Sequence, residues 1–112
     1  MQWELETVDG VGVLRLSGFL GARATHRFRG AFDWAMARCP GPIVVDLSDL
    51  RGWSTEGEAA IVDAAGLLGE RGPLAVCGVG RRKADLLRSG SALSVLRLCA
   101  DLDVALVVLG VH

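Results

Sequence analysis

The chain reads as a two-layer α/β domain on a mixed sheet of roughly four or five strands with about four helices. Three observations lead there. The first residues alternate polar and apolar around an Asp9-Gly10 turn, the pattern of an antiparallel hairpin. Beyond it, short apolar runs take turns with segments of helical period, and each such alternation calls for a crossover and a parallel neighbour. At 112 residues, 51% hydrophobic and 22% charged, the chain supports one core and one domain, 1–112.

Trp3, Leu5 and Thr7 alternate with Glu4 and Glu6, the period of a half-exposed strand. Past the turn, 11–17 forms a second strand, whose pattern Gly18 and Gly21 interrupt. Phe28, Ala31, Phe32, Ala35 and Met36 recur at helical spacing and predict a helix over 24–38, which Pro40-Gly41-Pro42 ends. Ile43, Val44, Val45, Asp46 and Leu47 then read as a buried strand that stops in a short polar loop. Thr55 and Glu58 stand at capping-box spacing, so a second helix runs over 55–70 and buries Ala59, Ile61, Val62, Ala65 and Leu68. Gly72-Pro73 precedes a strand over 74–77, and Ser89-Gly90 closes a third helix over 83–88. A short strand follows near 95–98, and Asp101 caps a last helix through 109.

Composition excludes several classes of function. A formal net charge of -1 offers no bulk attraction to nucleic acid or to an anionic membrane. Cys39, Cys77 and Cys99 form no C-x-x-C pair, and neither His26 nor His112 sits at ligand spacing from them. They read as buried thiols in a reducing cytosol, with no metal site. The opening MQWELETVDG alternates where a signal peptide would run apolar, and no apolar stretch approaches the roughly 20 residues of a membrane helix. A soluble, cytoplasmic protein is expected.

Asp46, at the end of a buried strand, invites comparison with a phosphoacceptor receiver domain. That chemistry needs an acidic pair after the first strand to hold Mg²⁺, and a lysine at a later strand end. Here the first strand turns back as a hairpin and Lys83 falls on a predicted helix, so Asp46 reads as a carboxylate accepting loop N–H groups. The 77–83 segment, with Gly78, Gly80, Arg81, Arg82 and Lys83, lacks the spacing of a phosphate loop. It suits an acidic protein partner better than a nucleotide. Ser54 and Thr55 have no base at a predictable position, so hydrolysis is unsupported and both hydroxyls read as helix caps. No catalytic constellation is present, and no enzyme is expected.

Asp46-Leu47-Ser48, then Leu50, Trp53, Ser54-Thr55-Glu56-Gly57 and Ile61, resembles the STAS domain of bacterial anti-sigma factor antagonists. Their pattern is Asp-Leu-Ser, an apolar residue two places on, then Asp-Ser-Ser-Gly or Asp-Ser-Thr-Gly opening a helix. Leu14-Arg15-Leu16-Ser17-Gly18 is similar to the family's second strand and the start of its Gly-Glu-Leu-Asp turn. Leu86-Leu87-Arg88-Ser89-Gly90 and 100–106 are similar to its third helix and to the acidic start of its last.

The resemblance implies a partner-switching regulator of transcription. Unphosphorylated, such proteins bind an anti-sigma factor, a serine kinase of histidine-kinase-like ATPase fold, and free a sigma factor. The kinase then phosphorylates the hydroxyl before the motif's glycine, and the added charge ends the complex. Here that position holds Glu56, with Ser54 in place of the motif's aspartate and Thr55 in place of its first hydroxyl. Phe19 and Gly21 stand where glutamate and aspartate are usual.

Three readings of Glu56 stay open: a permanent imitation of the phosphorylated state, a favourable first-turn carboxylate, or a site whose acceptor has moved to Thr55 or Ser54. The expected partner edge comprises Gly21, Arg51, Trp53, Ser54, Thr55, Glu56 and Gly57, extended by Arg81 and Arg82. The partner is a protein, an anti-sigma factor of serine-kinase fold, bound by a monomer or weak dimer that needs no cofactor. The competing class is a small-ligand sensor holding a nucleotide or lipid phosphate on helix N–H groups.

Overall fold

Strand β1 (Gln2–Val8) and strand β2 (Val11–Leu20) form the expected hairpin in the computed structural model, which describes residues 1–69, 74–78, 96–99 and 101–109. Val8 faces Val11, leaving Asp9 (φ 50°) and Gly10 (φ 82°) as a two-residue turn with both centres left-handed. That geometry matches the twist of the flanking strands, which is why Asp-Gly is such a strong hairpin signal. The strand does not stop at Ser17. Gly18, at φ 85°, is absorbed as an irregularity, with register shifts between Arg15 and Ser17 and between Gly18 and Phe19.

Strands β3 (Ile43–Trp53), β4 (Leu74–Cys77) and β5 (Leu96–Cys99) follow in parallel, giving the order β1-β2-β3-β4-β5 with one antiparallel pair. The polar loop expected after Leu47 is strand instead. Ser17 pairs with Asp49, Gly18 with Leu50, Phe19 with Gly52 and Leu20 with Trp53. On its other side β3 meets β4 only at Val44, Val45 and Asp46. Among the described residues the rest of β3 is bonded along one edge, and Ser48, Asp49 and Arg51 are exposed. A strand half in solvent carries loop-like polarity.

A 3₁₀ turn (Ala22–Ala24) leads into helix α1 (Thr25–Arg38), and α2 is Thr55–Leu68. Both cover one face of the sheet, where Leu14, Leu16, Leu20, Val45, Leu47 and Val76 pack with Phe28, Phe32 and Ile61. The Phe28 and Phe32 rings, fully buried and tilted at 39° with centroids 6.1 Å apart, anchor α1, each contributing about 1.5–3 kcal/mol. Helix α3 (Leu102–Val108) packs on the opposite face, where Ala105 joins Val11, Val44, Ala75, Cys77 and Cys99. Its expected cap is present, Asp101 Oδ1 accepting the Val104 N–H at 2.9 Å.

The buried stripe of α2 is Gly57, Ile61, Ala64, Ala65 and Leu68. Ala59, expected inside, is exposed and Val62 is half-buried. The helix is phased by its glycine, described below. The three cysteines are buried and form no disulfide among the described residues. The third helix expected over 83–88 lies outside the described residues. Within them, no helix is long and apolar enough to cross a membrane.

Candidate functional site

Leu20, the last residue of β2, joins the sheet to the start of α2. Its side chain is fully buried and its carbonyl accepts the Ser54 N–H at 3.0 Å. Held in this way, Ser54 is extended (φ −94°, ψ 176°) and serves as the N-cap, its Oγ accepting the Gly57 N–H at 3.3 Å. Its own carbonyl accepts the Glu58 N–H at 3.0 Å, closing the first turn. The cap is therefore Ser54, as its hydroxyl suggested, and the Thr55–Glu58 box is displaced by one residue. Three places after Ser54 stands Gly57, which has no side chain to reach back, so no reciprocal box forms. Gly57 is required for another reason. A Cβ there would overlap the Leu20 carbonyl oxygen and lie 3.0 Å from Leu20 Cγ.

Thr55 and Glu56 are exposed in the first turn of α2. The Glu56 carboxyl is held below its usual range, first by its own backbone N–H and then by the Ser54 hydroxyl. It is ionised at neutral pH and has no salt bridge among the described residues. With Glu58 it gives this turn two carboxylates, a favourable placement at a helix start. Arg51 is exposed on the overhanging part of β3, and Trp53 is half-buried against the core. Gly21 follows Leu20 directly, so the structure brings Gly21 and 51–57 to one edge. Arg81 and Arg82 lie outside the described residues.

Beside this junction lies an open cavity of about 420 Å³, lined by Met1, Phe19, Gly21, Ala22, Arg23, Ala24 and Arg27. The Phe19 ring, 54% exposed, rests over two glycines. A Cβ on Gly52 would lie 3.3 Å from its Cε2, and one on Gly21 would lie 2.9 Å from its Cε1. Arg23 and Arg27, exposed and four residues apart, share the cavity wall. Sequence reasoning did not place these arginines at the edge. The available signal was an R-x-x-x-R spacing across a helix start with no carboxylate in its first turn.

Asp46 acts as expected of a structural carboxylate. Its Oδ1 accepts the Ser48 N–H at 2.9 Å and the Ser48 hydroxyl at 2.6 Å, and its Oδ2 stands 3.5 Å from Arg15 Nε. Arg15 also donates to Glu6, and that bond is the main reason its guanidinium is raised above its ordinary value. Burial, and then Asp46, push the Cys77 thiol up to about 12. Among the described residues no group of three or more His, Cys, Asp or Glu side chains is arranged to hold a metal.

The family model of the STAS domain matches residues 2–105. The chain belongs to the STAS domain family. Solved structures share the STAS fold at low sequence identity. An anti-sigma factor antagonist from Mycobacterium paratuberculosis matches with a TM-score of 0.87 at 22% identity, over 97% of this chain and 93% of that one. The RsbS protein of Moorella thermoacetica, carrying a serine-to-glutamate substitution, matches at 0.75 and 18%, over 98% and 96%. The Bacillus cell fate determinant SpoIIAA in its phosphorylated form matches at 0.65 and 15%, over 88% and 92%. No curated protein matches the sequence. In this STAS domain the start of α2, the end of β3 and the β2–α1 connection meet around Leu20.

Proposed function

We propose that this STAS domain is a regulatory, non-enzymatic binding module of the anti-sigma factor antagonist type. It docks a protein partner, an anti-sigma factor of serine-kinase fold, through the end of β3 and the start of α2. The observation that carries the reading is Glu56: exposed, ionised and anchored in the first turn beside the Ser54 cap. By the family resemblance this is the place of the phosphoacceptor. Glu56 offers a serine kinase no hydroxyl but is negatively charged at neutral pH, so partner choice is set without a switch at this position. The similarity to an anti-sigma factor antagonist, and to an RsbS variant with glutamate in place of a serine, supports it.

The test is calorimetry of the protein with candidate anti-sigma kinases, starting with any encoded beside it. Glu56→Ser is expected to change affinity about tenfold. Binding that ignores the substitution removes Glu56 from the docking edge, and no binding to any such kinase rejects the partner class.

One observation favours a second reading, in which Thr55 is phosphorylated. Thr55 is exposed, whereas the Ser54 hydroxyl is committed to the Gly57 N–H. Incubation with the kinases and ATP, followed by mass spectrometry, decides it: a phosphate on Thr55 supports the reading and an unmodified Thr55 rejects it.

A further inference from the structure

We propose that the cleft between the Phe19 ring and the guanidiniums of Arg23 and Arg27 takes an acidic segment of the protein partner. An apolar side chain of that segment rests on the ring, and a neighbouring carboxylate meets the two arginines. This deepens the docking reading above and rests on it.

Charge complementarity identifies the occupant. Arg15 is engaged by Glu6 and Asp46, Arg29 by Asp33, and Arg38 stacks on Trp34 at 4.2 Å. Arg23 and Arg27 have no such partner among the described residues. At a spacing of four they stand on one side of the chain and repel each other, and the first turn of α1 holds no carboxylate to offset them. The fold therefore keeps two cations that have no ion pair among the described residues in the wall of one cavity. A carboxylate entering there gains from both at once.

The ring supplies the apolar half. Phe19 presents more than half its surface to solvent, yet its position is defined by Gly52 on one side and Gly21 on the other. An aromatic side chain already held in place binds an apolar group with little further loss of freedom. The cleft is also continuous with the docking edge, because Leu20, between Phe19 and Gly21, holds Ser54 through its carbonyl. Along this edge Arg23 and Arg27 line the cleft, while Glu56 and Glu58 open α2, which packs on the 22–24 turn. A partner must match both signs, acid to the cleft and base to α2, which fixes its orientation.

The experiment titrates the isotopically labelled 112-residue protein, followed by NMR, with three short peptides sharing a central leucine. The leucine is flanked by glutamates, lysines or serines. The glutamate peptide is expected to shift the amides of Phe19, Gly21, Ala22, Arg23 and Arg27, and rising salt should weaken the response. Arg23→Glu with Arg27→Glu should weaken binding by roughly tenfold or more, and Phe19→Ala should weaken it too. Arg97→Glu, the same reversal on the exposed side of β5, should leave it intact. If the double variant does not fold, Arg23→Gln and Arg27→Gln carry the test singly. Equal shifts from the lysine or serine peptide, no shifts, or indifference to the arginine variants overturn the proposal. Inorganic phosphate reproducing the same shifts also overturns it, in favour of a simple anion site. Kinase binding sensitive to Glu56 without an acidic-peptide response rejects the cleft alone. An acidic-peptide response without kinase binding rejects the docking reading alone.

Discussion

Phe19 and Gly21 share one space: a Cβ on Gly21 would lie 2.9 Å from Phe19 Cε1 and 3.2 Å from Cδ1. The family resemblance places acidic side chains at both positions. With the ring in this position, a side chain at 21 does not fit. The two departures are thus one structural change, an aromatic ring laid over a bare backbone where two carboxylates would stand.

The obstacle to a side chain at 21 is the far end of a ring that can swing away. Gly21→Ala is therefore expected to leave stability within about 0.5 kcal/mol of the parent while turning Phe19 out of its place. Nuclear Overhauser contacts between the Phe19 ring and Gly52 should vanish, and denaturant midpoints should barely move.

At Gly57 the obstacle is the Leu20 carbonyl, which is backbone and cannot step aside. Gly57→Ala should cost about 1–3 kcal/mol, since α2 has to lift from the sheet to admit one methyl group. Gly66, exposed on the same helix with nothing within 4 Å of an added Cβ, provides the contrast. Gly66→Ala should gain about 0.5–1 kcal/mol. Urea denaturation of the two variants measures both.

Ser54→Ala should cost about 0.5–2 kcal/mol through the lost cap, and Thr55→Ala should stay within about 0.5 kcal/mol. The serine variant should also raise the Glu56 carboxyl part of the way to its ordinary value. The larger cause, the backbone N–H of Glu56 itself, remains in place. Because the folded value is the depressed one, the stabilisation from Glu56 is present above its unfolded-state pKa. It is lost as pH falls through the folded value. Carboxyl-detected NMR titration of both proteins checks this.

Cys77 works in the opposite direction. Its thiol rises from 9.0 to about 12 in the folded chain, so its stabilisation is whole below pH 9.0 and drains away between there and about pH 12. A base titration of unfolding by circular dichroism should show that decline, and Cys77→Ala should flatten it. The native thiol should also resist iodoacetamide at pH 8, since almost none of it is thiolate.

What was legible in the sequence was mainly local. Asp9-Gly10 forces its own turn, and Asp101 caps its own helix, so both could be placed without knowing the fold. The overhang of β3 could not be. Ser48, Asp49 and Arg51 read as a loop, and it is pairing with β2, remote in sequence, that carries β3 through them to Trp53. The capping residue was ambiguous for a similar reason. Ser54 prevails over Thr55 because a carbonyl far back in the chain, that of Leu20, takes its N–H. The edge formed by Gly21 and 51–57 was readable from the motif. The cleft beside it was not, because its ring lies across glycines from two separate segments.

Leu20 also bears on how such a domain tolerates sequence change. Its side chain is locked in the core and its carbonyl in the cap of α2, yet Phe19 before it is exposed and Gly21 after it is half-buried. Structural obligation is concentrated in one residue while its neighbours at 19 and 21 are released from it. Substitution at those two positions can replace acidic side chains by an aromatic ring and a bare backbone while Leu20 keeps its place in the core and the cap. New partners become reachable through surface substitutions alone.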